Sequence, residues 1–518
     1  MQELPIGVHD FFMIRGDNLL YVDKTRRLLD LIERGRRYFL ARPRRFGKSL
    51  TLTTLEAMFL GKASYFRGLE AEKWVSEHAQ SPSPVLRIDM SLLSTPKDER
   101  EFHDAMNQIL QFSADRPLAF EKDCSLTFAN LIRKIYQESG SVVVLIDEYD
   151  SLILANIDDT SCANSMRLLL CPFYMTLKAL DRYLRFVFIT GISKFSKVGV
   201  FSAMNNLQDI SLSEKYVDIV GYTQQELEMN FSEYIQSIAA KKSWTQFSLS
   251  DTIKMYYDGF SFDGKTRVYN PYSLLTFFSS GEIANYWYES GSPTFIVNWM
   301  RKNGIDAPDE YSGIEVGLDF TSSFEIENAK PYNLLYQSGY LTLRKKEGNL
   351  YTLDYPNKEV LDSLSALYLE CVYRVSSFAS LGADLWRALL SCDLTRLVAL
   401  FSQALSSIPY EDFKNRDEYW YRSLFLMLLR GAGILVFFEV HCAKGRSDLI
   451  LVTGKAYYVF EFKRSPNAAG VERAARLGTR QIRARDYAGI VVNRGLPCVM
   501  AVLVACDCDR TVSLHTVE

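Results

Sequence analysis

Arg42-Pro43-Arg44-Arg45-Phe46-Gly47-Lys48-Ser49 decides how this chain is read. The apolar run Tyr38-Phe39-Leu40-Ala41 precedes it, and a helix-patterned segment, Leu50 to Leu60, follows. Strand, tight loop closing in Gly-Lys-Ser, then helix is the layout of a phosphate-binding loop. A helix start presents unpaired N–H groups and the positive end of its dipole to an anion. In such a loop Lys48 reaches the outer phosphates and the Ser49 hydroxyl ligates Mg²⁺. The full pattern, G-x-x-x-x-G-K-[ST], places glycine where this chain has Arg42. The loop alone therefore leaves a chance Gly-Lys-Ser open. A phosphate contact is expected from one of Arg42, Arg44 and Arg45, with Arg45 chosen beside Gly47, Lys48 and Ser49.

Working outward, Val142-Val143-Val144-Leu145-Ile146 is a continuous apolar run, the pattern of a parallel strand buried on both faces. Asp147 and Glu148 close it. Nucleotide hydrolysis needs a phosphate cradle, a metal ligand and a group that orients water. Asp147 at a strand end suits the metal, and Glu148 suits the water. Solvated carboxylates closing a strand are the plainer reading of the pair, outweighed by the loop upstream. A further buried strand, Arg185 to Gly191, places Thr190 where it could meet the γ-phosphate. The short strand Val85 to Asp89 is expected between the two motif strands. Strands alternate with helices from Leu4 to about Val220, which predicts a doubly wound α/β domain with a parallel sheet over 1–220.

The remaining chain divides in two. Residues 221–400 read as a mainly helical accessory region. Its one hairpin, Tyr340 to Arg344 with Leu350 to Leu353 around Glu347-Gly348-Asn349, is compatible with a winged-helix module. A hairpin packed on helices is the preferred reading. Residues 401–518 read as a small α/β domain. There Gly445 to Val452 and Ala456 to Lys463 form a hairpin. Side chains alternate across a strand, so Glu461 and Lys463 share a face, and Asp448 on the paired strand comes beside them. Two carboxylates and a lysine so placed hold a divalent cation and a water for phosphodiester hydrolysis, with hard oxygen ligands favouring Mg²⁺ or Mn²⁺ over zinc. An edge hairpin with solvent-facing charges is the alternative, but charges closing apolar strands are costly without a partner. Glu418 and Glu439 are weaker candidates for extra ligands. Basic residues exceed acidic ones between Glu461 and Tyr487, a local phosphate-binding patch or a solvated helix face.

Length and composition set outer bounds. The chain has 518 residues, 48% of them hydrophobic, and a net charge of −3. Domains average about 150 residues, so roughly three are expected. The charge excludes a global attraction to nucleic acid or anionic membrane. The nine scattered cysteines favour a reducing cytoplasm over a disulfide framework. Cys506-Asp507-Cys508 lacks the further ligands a metal site needs. No apolar run approaches the ~20 residues of a membrane span.

Taken together, these stretches resemble a bacterial and archaeal family with an AAA-ATPase-like N-terminal domain and a C-terminal nuclease-like domain of the PD-(D/E)XK superfamily. The resemblance rests on Tyr21-Val22-Asp23-Lys24-Thr25, Arg42 to Ser49, Leu145 to Asp150, Ile189 to Phe195 and Tyr256 to Phe260. It continues through Tyr269-Asn270-Pro271, Tyr336 to Tyr340, Gly445 to Asp448, Glu461-Phe462-Lys463, Gln481 and Tyr487. It implies that Arg42 is the family's own form of the loop, that the nucleotide is ATP, and that Mg²⁺ serves both sites. It also matches Asp448, Glu461 and Lys463 to the nuclease core, with Gln481 and Tyr487 as nucleic-acid contacts. The expected protein is an ATPase controlling a Mg²⁺-dependent phosphodiesterase that acts on nucleic acid, DNA ahead of RNA. It is expected in the cytoplasm, off the membrane, with room for a homo-oligomer. The rival reading is an ATP-gated nucleic-acid-binding or signalling switch whose nuclease-like domain is inactive.

Overall fold

The computed structural model describes the chain apart from residues 115, 158, 195–206, 243–244, 290–311, 318–319, 321–329, 372, 376–377, 409–415, 443–444, 454, 486–495 and 518, and apart from the side chains of 288–289, 379 and 437–446. Contacts gather into two compact units. One comprises the described parts of Met1–Ile296 and Tyr311–Glu359, the other those of Val360–Glu518. The helical stretch expected over 221–400 is thus divided at Glu359.

In the first unit the chain alternates as the apolar runs predict. Strand β1 (Arg37–Ala41) leads through the loop into α1 (Lys48–Phe59). Then follow β2 (Val85–Asp89), α2 (Glu99–Ser113), α3 (Cys124–Ser139), β3 (Val142–Asp147), α4 (Thr160–Ala179), β4 (Leu184–Gly191) and the short β5 (Gln208–Asp209). The sheet order is β2-β3-β4-β1-β5, and every pairing is parallel. β3 is buried along its whole length, as helices on both faces of a parallel sheet require. The strand inserted between the motif strands is therefore β4, not Val85–Asp89, which pairs outside β3. Sequence order does not fix lateral order, because crossover helices carry the chain past neighbouring strands. The consequence is local: Ala41 pairs with Gly191 and Ile146 with Ile189, so the ends of β1, β4 and β3 stand side by side.

Helices α5 (Gln224–Lys242), α6 (Gln246–Tyr257) and α7 (Pro271–Ser280) bury one apolar cluster together with Leu20 and Val22 from the N-terminal segment. Asn270 caps α7 by accepting from the N–H groups of Tyr272 and Ser273, and Pro271 opens it with a preset φ. Next come β6 (Ile314–Val316), α8 (Pro331–Ser338), β7 (Thr342–Glu347) and β8 (Leu350–Asp354). The expected hairpin is β7–β8, turning at Gly348 with φ 61°, and β6 pairs with its outer edge.

The second unit carries α9 (Glu418–Gly431), β9 (Val436–Cys442), β10 (Gly445–Val452), β11 (Tyr457–Ser465), α10 (Val471–Arg485), β12 (Cys498–Cys506) and β13 (Thr511–Val517). Its sheet runs β13-β12-β11-β10-β9. β11 and β12 are parallel, and the other pairs are antiparallel. A parallel pair needs a crossover, and α10 lies between these two strands in sequence and packs on both. Gly478 permits that contact: a Cβ there would come within 2.5 Å of Val502 and 3.3 Å of the Lys463 stem. No helix among the described residues is long and apolar enough to cross a membrane.

Candidate functional sites

At the loop, the backbone makes two left-handed turns, at Arg45 (φ 66°) and Gly47 (φ 95°), the second capping α1. A Cβ at Gly47 would meet nothing within 4 Å, so the glycine is needed for its φ rather than for space. Lys48 is buried and donates to the carbonyls of Arg42 and Pro43, each at 3.0 Å. Burial pushes its ammonium below the usual range, against the pull of Asp147, Glu148 and Asp150. Ser49, half-buried, is the next residue of α1.

Asp147 is 5% exposed. Its Oδ1 accepts the Thr190 hydroxyl at 2.5 Å and the Glu148 N–H at 3.1 Å. Both bonds fall on Oδ1, which leaves Oδ2 for a cation. Thr190 thus acts on Asp147 rather than standing free toward a phosphate. Glu148 is held at φ 48°, a sparsely populated region for a residue with a side chain, and burial raises its pKa. Asp150, unnoticed as a site residue in the sequence, is fully buried. It accepts from the Ser193 N–H and hydroxyl at 2.7 and 2.6 Å, fixing the chain just beyond β4. A Cβ on Gly191 would come within 2.5 Å of the Tyr149 ring and 2.7 Å of Asp150.

The three loop arginines part company. Arg44 is exposed. The Arg45 guanidinium lies 3.9 Å over the Tyr272 ring. Arg42 turns inward: it is 1% exposed, donates to the Ala41 and Ser211 carbonyls at 3.0 and 2.6 Å, and stacks 3.8 Å over Phe262. Burial pushes it down to about 10. A phosphate contact from Arg42 is therefore excluded by its place in the core.

Beside Gly47 and the first turns of α1 is a cavity of about 310 Å³. Arg45, Tyr21, Lys24, Tyr222 and Tyr272 are among its walls. Lys24 pairs with Glu226 at 2.6 Å. The stretch Tyr21 to Thr25, prominent in the sequence without an assigned chemistry, thus contributes one wall.

In the second unit, Leu449 pairs with Phe460, one residue along from Asp448 and Glu461 respectively. Asp448 Oδ1 accepts from Arg422 at 3.0 Å and Oδ2 from the Phe462 N–H at 2.9 Å. Glu461 and Lys463 share a face, and Lys463 Nζ donates to Glu461 Oε1 at 2.9 Å and to Glu418 Oε1 at 3.2 Å. Burial, with Asp448 nearby, raises Glu461 to about 7. Burial works against the Lys463 charge, but Glu461 and Glu418 outweigh it and hold the ammonium above its usual range. Glu461 is fully buried, and its Oε2 has no hydrogen-bond partner among the described residues. A buried, orphaned carboxylate oxygen beside a second carboxylate is the donor set a hard divalent cation takes. Glu418 joins the cluster as a weaker candidate should; the Glu439 side chain lies outside the described residues. Gln481 is half-buried on α10, and Tyr487 lies outside the described residues. Arg422 escaped notice in the sequence. Its spacing from Glu418, four residues on one helix, was the available signal.

The family described as a predicted AAA-ATPase matches residues 5–201, and the PD-(D/E)XK nuclease superfamily matches residues 416–514. An Azotobacter chroococcum mcd 1 protein, "Uncharacterized protein in vnfD 5'region", is 34% identical over 479 residues, 89% of each chain. The ORC2 protein of Aeropyrum pernix, solved in ADPNP–ADP complexes, aligns with 66% of this chain and 91% of its own. Its identity is 12% and its TM-score 0.21, too low to bear on the fold.

Proposed function

We propose, for a chain that belongs to the family joining a predicted AAA-ATPase domain to a PD-(D/E)XK nuclease-superfamily domain, that ATP turnover in the first unit controls a divalent-metal-dependent phosphodiesterase in the second, acting on nucleic acid, DNA ahead of RNA. The observation that carries the nuclease half is the buried, unpartnered Oε2 of Glu461, on a carboxylate whose Oε1 accepts from Lys463 and whose pKa the nearby Asp448 helps to raise.

Asp448 and Glu461 would hold Mg²⁺ there, which when bound offsets charge on a phosphate and makes its water more acidic. Lys463 is already oriented by two carboxylates, so its ammonium is fixed where an attacking water or a developing oxyanion needs a donor. In the first unit, Ser49 and Asp147 would hold the cation of an ATP complex. Thr190 keeps the Asp147 carboxylate from rotating. Lys48 exchanges two carbonyl partners for phosphate oxygens, and Glu148, with its raised pKa, orients and accepts a proton from water. The cavity beside Gly47 takes the nucleoside, with Tyr272 and Arg45 as its stacked wall.

Labelled DNA and RNA incubated with Mg²⁺, with and without ATP, test the reading against Asp448→Ala. Metal-dependent cleavage that the variant loses, and that ATP changes, is expected. Absence of cleavage, or equal cleavage by the variant, overturns the nuclease assignment. Cleavage indifferent to ATP overturns the control. Wild-type ATP hydrolysis by Lys48→Ala overturns the loop assignment.

A further inference from the structure

Away from both sites, α2 and the start of α3 bring three chemically different ligands together. His103 Nδ1 lies 3.2 Å from the Cys124 sulfur and 3.9 Å from Asp123 Oδ1. The three donor atoms all lie within 4.8 Å of one another. With bonds of about 2.0–2.3 Å, a tetrahedral zinc ion sets its ligand atoms roughly 3.3–3.8 Å apart. The cluster is close to that spacing without rearrangement of either helix.

Helix capping accounts for part of it. Asp123 Oδ1 accepts from the Ser125 N–H at 2.8 Å, and His103 Nδ1 takes the Cys124 N–H at 3.3 Å. Capping does not account for the fully buried thiol beside the imidazole, nor for the two neighbours of His103 on its own helix. One turn earlier, Glu99 sets its carboxylate 3.7 Å from the other ring nitrogen, Nε2. One turn later, Asn107 is 2% exposed. Its amide nitrogen donates to the Glu121 carbonyl at 3.0 Å, while its oxygen has no hydrogen-bond partner among the described residues. Glu99, His103 and Asn107 recur every four residues along one helix face. Glu99 is exposed and stands at ion-pair rather than hydrogen-bond distance, so the buried Asn107 is the neighbour with an unmet polar atom on this helix face.

We propose that His103, Asp123 and Cys124 form a zinc-class metal site that ties α2 to the start of α3. The mixed nitrogen, sulfur and oxygen set suits zinc, in contrast to the oxygen-only pair of Asp448 and Glu461. Binding replaces the Cys124 S–H bond with a metal–sulfur bond and releases the proton to solvent. Cys506, Cys508 and Asp509 form a second cluster, with the sulfurs 3.3 Å apart. Cys508 is exposed and, among the described residues, no imidazole joins them, so that cluster serves as the control.

The test uses the full chain, stripped with a chelator, given zinc, and dialysed with Mg²⁺ present. Metal content is then measured, and Co²⁺ is substituted for its spectrum. Stoichiometric zinc is expected in the unaltered chain and in Cys508→Ser, and its loss in Cys124→Ser and His103→Ala. A zinc-free chain overturns the site, as does zinc retained by Cys124→Ser and His103→Ala, or lost in Cys508→Ser. Should Cys124→Ser fail to fold, the cobalt spectrum decides. A thiolate charge-transfer band kept in Cys508→Ser supports the site, and absence of that band in the unaltered chain overturns it.

Discussion

Two lysines, Lys48 at the start of α1 and Lys463 within β11, are held in different ways. Lys48 donates to carbonyls of its own loop. Lys463 donates to two carboxylates, Glu461 and Glu418, as well as to the Phe462 carbonyl. Burial lowers the pKa of the first, whereas its anionic partners raise that of the second. The hydrogen-bond partners of Lys48 are neutral carbonyls, which phosphate oxygens could replace, although Asp147, Glu148 and Asp150 also pull on its charge. The hairpin site holds more carboxylate than ammonium, with one Glu461 oxygen buried and unpartnered, and it gains most from an incoming cation.

The contrast breaks most sharply at the lysines themselves. Lys463→Ala should cut metal-dependent cleavage by roughly a hundred- to a thousandfold, and Lys48→Ala should do the same to ATP hydrolysis, each leaving the other activity's chemistry in place. Single-turnover rates for both reactions in both variants are the check. Arg42→Gly, which restores the common loop glycine, should destabilise the first unit by about 2–4 kcal/mol, because it leaves buried carbonyls without their donor and opens a void. Urea unfolding measures that. Thr190→Val removes the hydroxyl from Asp147 and should lower ATP turnover by about tenfold, with a smaller change in nucleotide affinity. Separate measurement of kcat and nucleotide Kd distinguishes the two.

The smallest effect is one of pH. Glu461 is protonated below about 7 in the folded chain. A cation binds the deprotonated form, so Mg²⁺ affinity should rise as pH climbs through about 7, and Glu461→Gln should abolish that dependence. The raised pKa also means that the folded state prefers the protonated carboxyl. Without metal, stability should fall as pH rises from the ordinary carboxylate range through about 7. Calorimetric titration across pH, with unfolding midpoints in chelator, covers both.

Much of this was legible in the sequence because strands and phosphate loops have short-range signatures. The run Val142 to Ile146 announced a buried parallel strand, and the alternation of Glu461 and Lys463 announced their common face. What was not legible depends on lateral neighbours. That β4, not β2, stands between the motif strands follows from how the crossovers pass over the sheet, which no local pattern records. The inward turn of Arg42 depends on Ser211 and Phe262, distant in sequence, and the bond of Thr190 to Asp147 likewise joins residues far apart in the chain. The cavity walls come from several separated stretches, among them Tyr21, Tyr222 and Tyr272, for the same reason.

The buried Arg42 also bears on how such a loop can change over generations. Glycine at this position is compatible with a phosphate loop only if something else meets the Ser211 carbonyl and fills the space against Phe262. A single substitution toward the commoner pattern therefore steps down before any second change can step back up. The two forms of the loop would then be separated by a less stable intermediate, and chains that carry the arginine should keep it together with the aromatic ring it rests on.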